Sequence, residues 1–505
     1  MSADLESKVG SASMPAGVEL FSSRWGMLLT AIGIAIGTGN IWRFPRVAAA
    51  SGGGVFILLW MAFLFLWSIP LLAAESAIGR STRRGTIGSF AAMMGSRGVW
   101  MGSFVALITT GIMCYYSVVT GWCLKYLTGS VLGTISAATG PEYWSSFSGS
   151  WQAVGFHLAA ALISGGIVLA GIRSGIEGSA RIFIPVLGVI LVYSAVRALL
   201  LPGSGAGVKY LFHFNPADFA RPRVYLEALS QSAWSTGAGW GLLLTYSVYS
   251  RPREHVVENS LVMGLSNNTA SLLAALAVIP TVFALLPAAE ALEVVKTPGE
   301  NSTGLTFIWI PRLLGQGPGG QLMLTLFFLA LVLAALSSLI SMVELGVRNL
   351  IDLGLRRKTA TLLVTTLIVI AGTPSALFSR VFDNQDWVWG LGLLINGLLF
   401  CVAVRVYGVT RFRKGMINIE GNRDMRLGKA YEPVILWLIP LLFTVLLAWW
   451  FYRSVGWEPG NWWNPFSTFS IGSVLIQWAL IAALTIWLGP RLARRLRAET
   501  GSPKN

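Results

Sequence analysis

Gly33-Ile34-Ala35-Ile36-Gly37-Thr38-Gly39-Asn40-Ile41-Trp42-Arg43-Phe44-Pro45 lies within the first long apolar segment of the chain, and it does not read as one continuous helix. Three glycines in seven residues cost a helix roughly 1 kcal/mol each relative to alanine. In hydrocarbon, an interrupted backbone persists only where the freed groups find partners. Carbonyls ending an inner half-helix would face a cation, and free N–H groups opening an outer half-helix would face an anion. Taken alone, Gly33 and Gly37 serve equally well as a small-residue packing face.

Outward from this stretch, the 505 residues are 54% hydrophobic and only 12% charged, with a mean hydropathy of +0.66. A soluble protein of this length carries about 25% charged residues. The apolar residues fall in blocks of about 20, the length that crosses a bilayer. Twelve such segments are read: 24–50, 53–77, 98–127, 156–172, 180–201, 224–250, 256–286, 318–350, 359–376, 387–408, 432–453 and 466–488. The formal charge of +15 does not imply nucleic acid. Lys and Arg concentrate in alternate connections, which puts both termini in the cytoplasm of a multi-pass protein of a cell membrane (plasma or bacterial inner). The basic tail with Arg491, Arg494, Arg495 and Arg497 then needs only anionic lipid headgroups. Cys114, Cys123 and Cys401 sit in apolar segments, and His157, His213 and His255 are scattered. Neither a disulfide framework nor a metal spacing is indicated.

The sixth segment repeats the anomaly of the first. It reads Gln231-Ser232-Ala233-Trp234-Ser235-Thr236-Gly237-Ala238-Gly239-Trp240-Gly241, again with glycines beside hydroxyl and amide groups. Paired interruptions five segments apart mark the solute site in many transporters. Asn267, Asn268, Thr269 and Ser271 in the seventh segment and Ser337-Ser338 in the eighth add an oxygen-rich set poor in carboxylates, suited to a monovalent hard cation. A lone serine in such a helix more often bonds its own helix carbonyl. Glu75, Glu344, Arg43 and Asp386 are the prominent charges in apolar surroundings. Glu75 and Glu344 suit binding of unwound backbone, and Arg43 and Asp386 suit a pair across an outer vestibule. Residues 287–317 suit a small helical hairpin outside.

On these residues the chain resembles the neurotransmitter:sodium symporter family. The resemblance rests on G-N-I-W-R-F-P at 39–45, S-G-G-G at 51–54, Tyr115-Tyr116, the broken sixth segment, Ser337-Ser338 and Asp386, in order over roughly residues 20–490. It implies an all-α membrane protein of twelve transmembrane helices with discontinuous helices 1 and 6. Two inverted five-helix repeats would span 24–201 and 222–408, followed by two C-terminal helices over 432–488. Residues 1–23, 202–221, 409–431 and 489–505 would be the N-terminal segment, an external linker, a cytoplasmic loop and the tail.

The resemblance further implies a Na+-coupled symporter working by alternating access. One Na+ would meet Ala35, Asn40, Ser235 and Asn267, together with the substrate carboxylate. A second Na+ would meet Gly33, Ile36, Ala334, Ser337 and Ser338. Tyr116 and the amides near Thr38 and Gly39 would take the carboxylate. The remaining pocket wall would comprise Gly37, Ile112, Trp234 as lid, Gly237, Trp240 and Met342. Arg43 and Asp386 would form the outer gate, with Tyr249 and Asp352 at inner-gate positions. Gly37 stands where monoamine carriers of the family have an aspartate, which favours a substrate bringing its own carboxylate, a small neutral amino acid such as glycine or alanine. Ser271 matches chloride-dependent members, so Cl- at Gln231, Ser235, Asn267 and Ser271 is expected.

The chain also departs from the family pattern. Trp60 replaces a tyrosine of the chloride site, and Ile34 replaces an asparagine. Val18 and Phe21 replace the arginine and tryptophan of the inner gate, leaving Asp352 to Arg24 or another base. Two other readings stay open: a carrier of an amine or osmolyte lacking an α-carboxylate, and a non-transporting sensor. An enzyme is not indicated, since no nucleophile–base set is present. The oligomeric state is left open.

Overall fold

A computed structural model describes residues 19–136, 138–139, 141–296, 305–316 and 319–501. Val18 and the glycine and proline positions of the 297–304 connection lie outside these residues. The described chain is helical, with no strand among the described residues. Helix α1 is Arg24–Ala35 and α2 is Thr38–Ala50, joined at 48° across a two-residue break. The following long helices are α3 (Gly54–Thr82), α4 (Thr86–Met94) leading into α5 (Val99–Val131), α6 (Trp151–Leu169) and α7 (Ile172–Leu199). The sixth segment divides into α8 (Pro222–Ser235) and α9 (Leu242–Ser247). Then come α10 (Val256–Leu285), α11 (Gly320–Asp352), α12 (Arg357–Leu377), α13 (Ser379–Tyr407), α14 (Tyr431–Trp457) and α15 (Ile471–Gly501).

Ten of these helical stretches are long and apolar enough to cross a membrane, and α1 with α2 pass together as a bent span. Thus eleven of the expected segments meet that criterion; the sixth does not because it is split. Short helices at Ala288–Lys296 and Ile310–Leu314 lie within the connection expected to form a hairpin. Two boundaries move for physical reasons. The tail expected from 489 continues α15 as helix through Pro490 to Gly501. Helix α13 starts at Ser379, not 387, because its polar first turns carry Arg380, Asp383, Asn384 and Asp386 and escape a hydropathy reading.

The layering follows from burial. In α11, 89% of the apolar window is buried, against 17% in the Tyr431–Trp457 helix. Helix α11 is therefore the central post, packed on α5, α7 and α12, while α14 turns most of its surface outward. Helix ends are secured locally and across loops. Ser23 Oγ accepts from Gly26 N–H at 3.0 Å to open α1. Asp424, from the loop after α13, accepts from the N–H groups of Val256, Val257 and Glu258 and so caps α10.

Candidate functional site

The first gap is short. Ile36 (φ −85°, ψ 87°) makes a tight turn out of the helix, with Gly37 N–H donating to Ala35 O at 3.1 Å, and Gly37 (φ −103°, ψ −176°) is extended; any residue can adopt both. The glycines here permit close approach. A Cβ at Gly37 would lie 3.1 Å from Ser338 Oγ and 3.2 Å from Tyr116 Oη, and one at Gly33 would lie 3.2 Å from Ser337 Cβ. Asn40 closes the gap from the α2 side, its Oδ1 accepting from Gly37 N–H at 3.0 Å. The second gap is longer, Thr236–Gly241, and it does need glycine. Gly237, Gly239 and Gly241 have φ of 72°, 87° and 79°, where a side chain is strained. Buried Glu75 holds this loop, its Oε1 accepting from Gly239 N–H at 2.5 Å, and Thr109 Oγ1 donates to Trp240 O at 2.8 Å. Glu75 thus binds unwound backbone as expected.

Around the gaps, the structure gathers residues singled out in the sequence, while Thr269 is exposed on α10. Asn40 Nδ2 donates to Asn267 Oδ1 (2.7 Å) and Ser271 Oγ (2.8 Å), and Asn267 Nδ2 donates to Ser235 Oγ (3.1 Å). One polar network therefore ties α2, α8 and α10. On the other side of the break, Ser338 Oγ lies 3.5 Å from the carbonyl oxygens of Gly33 and Ile34, and Ser337 Oγ donates to Ala334 O at 3.0 Å. Ile36 sits in the gap itself. The Thr38 N–H and Oγ1 both donate to Tyr116 Oη at 3.2 Å. Gln231 is buried one helical turn before Ser235, and its Oε1 has no hydrogen-bond partner.

A single cavity of about 550 Å³ is lined by Ala35, Gly37, Thr38, Gly39, Ile112, Tyr116, Trp234, Ser235, Gly237, Trp240, Ser338 and Met342. Every pocket residue expected from the sequence is therefore on its wall. The cavity continues past Arg43 and Asp386 to Arg46, Arg223, Glu227, Lys296 and Arg453, so pocket and vestibule form one space. The expected Arg43–Asp386 pair is not made. The Arg43 guanidinium lies 4.0 Å from the centroid of the Trp234 ring, and Asp386 Oδ1 accepts from Tyr115 Oη at 2.9 Å. The cavity stays continuous past Arg43 and Asp386, and each of the two is held by an aromatic neighbour.

The opposite end is closed by ion pairs. Asp352 accepts from Gly85 N–H at 2.6 Å and pairs with Arg348 at 2.5 Å. Of the two alternatives, Arg24 or another base, the structure has the second, since Arg24 pairs with Glu258 at 2.8 Å. Arg348 also lies 5.7 Å from the Tyr249 ring, which brings the two inner-gate positions together through one guanidinium. The expectation for Glu344 is corrected. It binds Arg357 and the Tyr249 hydroxyl, each at 2.5 Å, and not unwound backbone. Phe21 covers this end, its N–H donating to Tyr249 O at 3.1 Å and its ring packing edge-on against Tyr246 and Tyr249.

Sequence reading missed the contribution of α14. Trp450, Arg453 and Trp457 line the vestibule. The Trp449-Trp450 pair with Arg453 beyond it was a visible sign, since aromatic and basic residues are frequent at helix ends facing an interface.

Comparison with known proteins agrees with this geometry. The family model described as the Sodium:neurotransmitter symporter family matches residues 18–149 and 146–490. The chain is 32% identical over 447 residues to an uncharacterized sodium-dependent transporter of Methanocaldococcus jannaschii, covering 85% of this chain and 89% of the relative. It is 30% identical over 447 residues to another from Bacillus subtilis, with 85% and 95% covered. The crystal structure of MhsT in complex with L-phenylalanine superposes with a TM-score of 0.74 at 26% identity, covering 86% of this chain and 99% of that one. With the gaps, the pocket and a family match over nearly its whole length, the chain belongs to the sodium:neurotransmitter symporter family and is a sodium-dependent, multi-pass membrane transporter.

Proposed function

We propose that the protein imports a neutral amino acid together with Na+ by alternating access, from the face onto which the vestibule opens to a cytoplasm that holds both termini. One observation carries this reading. The acids on the cavity wall, Glu227 and Asp386, lie in the vestibule, and Gly37 puts none at the break. An amine without a carboxylate therefore finds no counter-charge at the bottom of the pocket. A carboxylate finds the opening turn of α2, the Tyr116 hydroxyl and a Na+ held by Ala35, Asn40, Ser235 and Asn267. A second Na+ sits at Gly33, Ile36, Ala334, Ser337 and Ser338. The vestibule favours the same ligand class: Arg43, Arg46, Arg223, Lys296 and Arg453 outnumber its two acids and draw anionic groups inward.

Carriage of L-phenylalanine-sized solutes is compatible with the wall; Trp240 beside Ile112 and Met342 favours a smaller side chain such as that of glycine or alanine. Chloride dependence is supported by one buried donor: Trp60 has an indole N–H without a partner, on α3, which packs against α8. An N–H donor at Trp60 can replace a tyrosine hydroxyl toward an anion.

The test is uptake into proteoliposomes under an inward Na+ gradient, scanned over the twenty amino acids and a set of carboxylate-free amines. Neutral amino acids should accumulate, and replacing chloride with gluconate should slow them. Accumulation of carboxylate-free amines alone would overturn the substrate reading; rates unchanged in gluconate would overturn the chloride reading.

A further inference from the structure

The vestibule contains a stack that spans the two halves of the outer gate. The Arg43 guanidinium lies 4.0 Å from the Trp234 ring centroid. On α14, Trp450 stacks with Trp234, centroids 5.5 Å apart and planes 18° apart. The same Trp450 ring meets Trp387 at 6.1 Å and 69°, and Trp387 follows gate residue Asp386 directly in α13. Trp387 is in turn fixed, its indole N–H donating to Ser470 O at 3.1 Å. Trp450 is only 9% exposed, and its own indole nitrogen is buried without a hydrogen-bond partner. Packing alone therefore places this ring.

The geometry sets a constraint on closure. For Arg43 to reach Asp386 it must leave the Trp234 face, and Trp234 must leave Trp450 to cover the pocket. We propose that Trp450 is a positioning residue of the outer gate: it holds the lid Trp234 back and biases the protein toward the outward-open state. The α14 helix, outside both five-helix repeats, thereby sets how often the pocket closes. This inference rests on the alternating-access reading above.

Stacked and edge-on aromatic contacts shift an equilibrium by roughly two- to tenfold, which is the effect to look for. Nitroxide labels at Ala220→Cys and Arg380→Cys sit on exposed residues before α8 and at the start of α13, while the native cysteines are buried. Distances between them are measured by pulsed electron resonance in Na+ without substrate. Trp450→Ala should enrich the shorter, closed distance by roughly two- to tenfold, and Trp450→Phe, which keeps a ring, should resemble wild type. Trp450→Leu serves as a second probe should the alanine variant fail to yield monodisperse protein. Two distances in the wild type with identical proportions in Trp450→Leu or Trp450→Ala would overturn the role of Trp450 alone. A single distance in every condition, including Na+ replaced by K+, would overturn alternating access and the inference with it.

Discussion

The two helix breaks carry out related tasks with different construction. The first spans two residues in backbone that any residue can adopt, and its glycines let α1 and α2 approach Ser337, Ser338 and Tyr116. The second spans six residues, uses three left-handed glycines and is fastened by Glu75. The first gap is thus defined by what touches it and the second by its own dihedral angles. Substitutions should therefore act on ligand binding at the first and on folding at the second.

The largest effect is expected at Glu75. Glu75→Ala leaves the Gly239 N–H buried and unpaired, at a cost of about 1–3 kcal/mol, with additional loss from the cavity. The purified protein should melt at a clearly lower temperature, and uptake should vanish; wild-type melting would show that the loop stands without its anchor. Next comes Gly239→Ala. Left-handed backbone costs an alanine about 1–2 kcal/mol, and the new Cβ would lie 3.0 Å from Gly397 Cα, a backbone atom that cannot swing away. Lower thermal stability is expected, whereas a variant as stable as wild type would mean that the loop relaxes freely. Gly37→Ala should be mildest. Its dihedral angles suit alanine, and the contacts at 3.1 and 3.2 Å are with the Ser338 hydroxyl and the Tyr116 phenol, which can yield slightly. Stability should remain near wild type while apparent substrate affinity falls about tenfold, some 1.4 kcal/mol. A drop in stability equal to that of Gly239→Ala would erase the distinction between the gaps.

Much of this was legible in the sequence because it depends on local backbone chemistry. Glycine clusters beside Asn40 and Ser235 mark helix interruption at any tertiary arrangement, whereas the pocket wall was legible only through the resemblance to the family. Gate partners were not legible in the same way. Asp352 takes Arg348 from its own helix, one turn back, and Glu344 takes Arg357 from the next helix; which of several nearby bases wins depends on side-chain direction. Arg43 and Asp386 both line the cavity as expected, yet their pairing depends on side-chain direction, and here each has an aromatic partner instead. Trp450 reaches the lid only through the docking of α14, which no spacing encodes.

The central claim is that the first gap, with Asn40 and Ser338 at its two sides, holds Na+. Melting of purified wild type, Asn40→Ala, Ser338→Ala and the double variant in equal NaCl and KCl tests it without knowledge of the substrate, since an ion bound by the native state raises stability by mass action. The account predicts a Na+-specific rise in the wild type, a smaller rise in each single variant and none in the double variant. An undiminished Na+ shift in both single variants would contradict it.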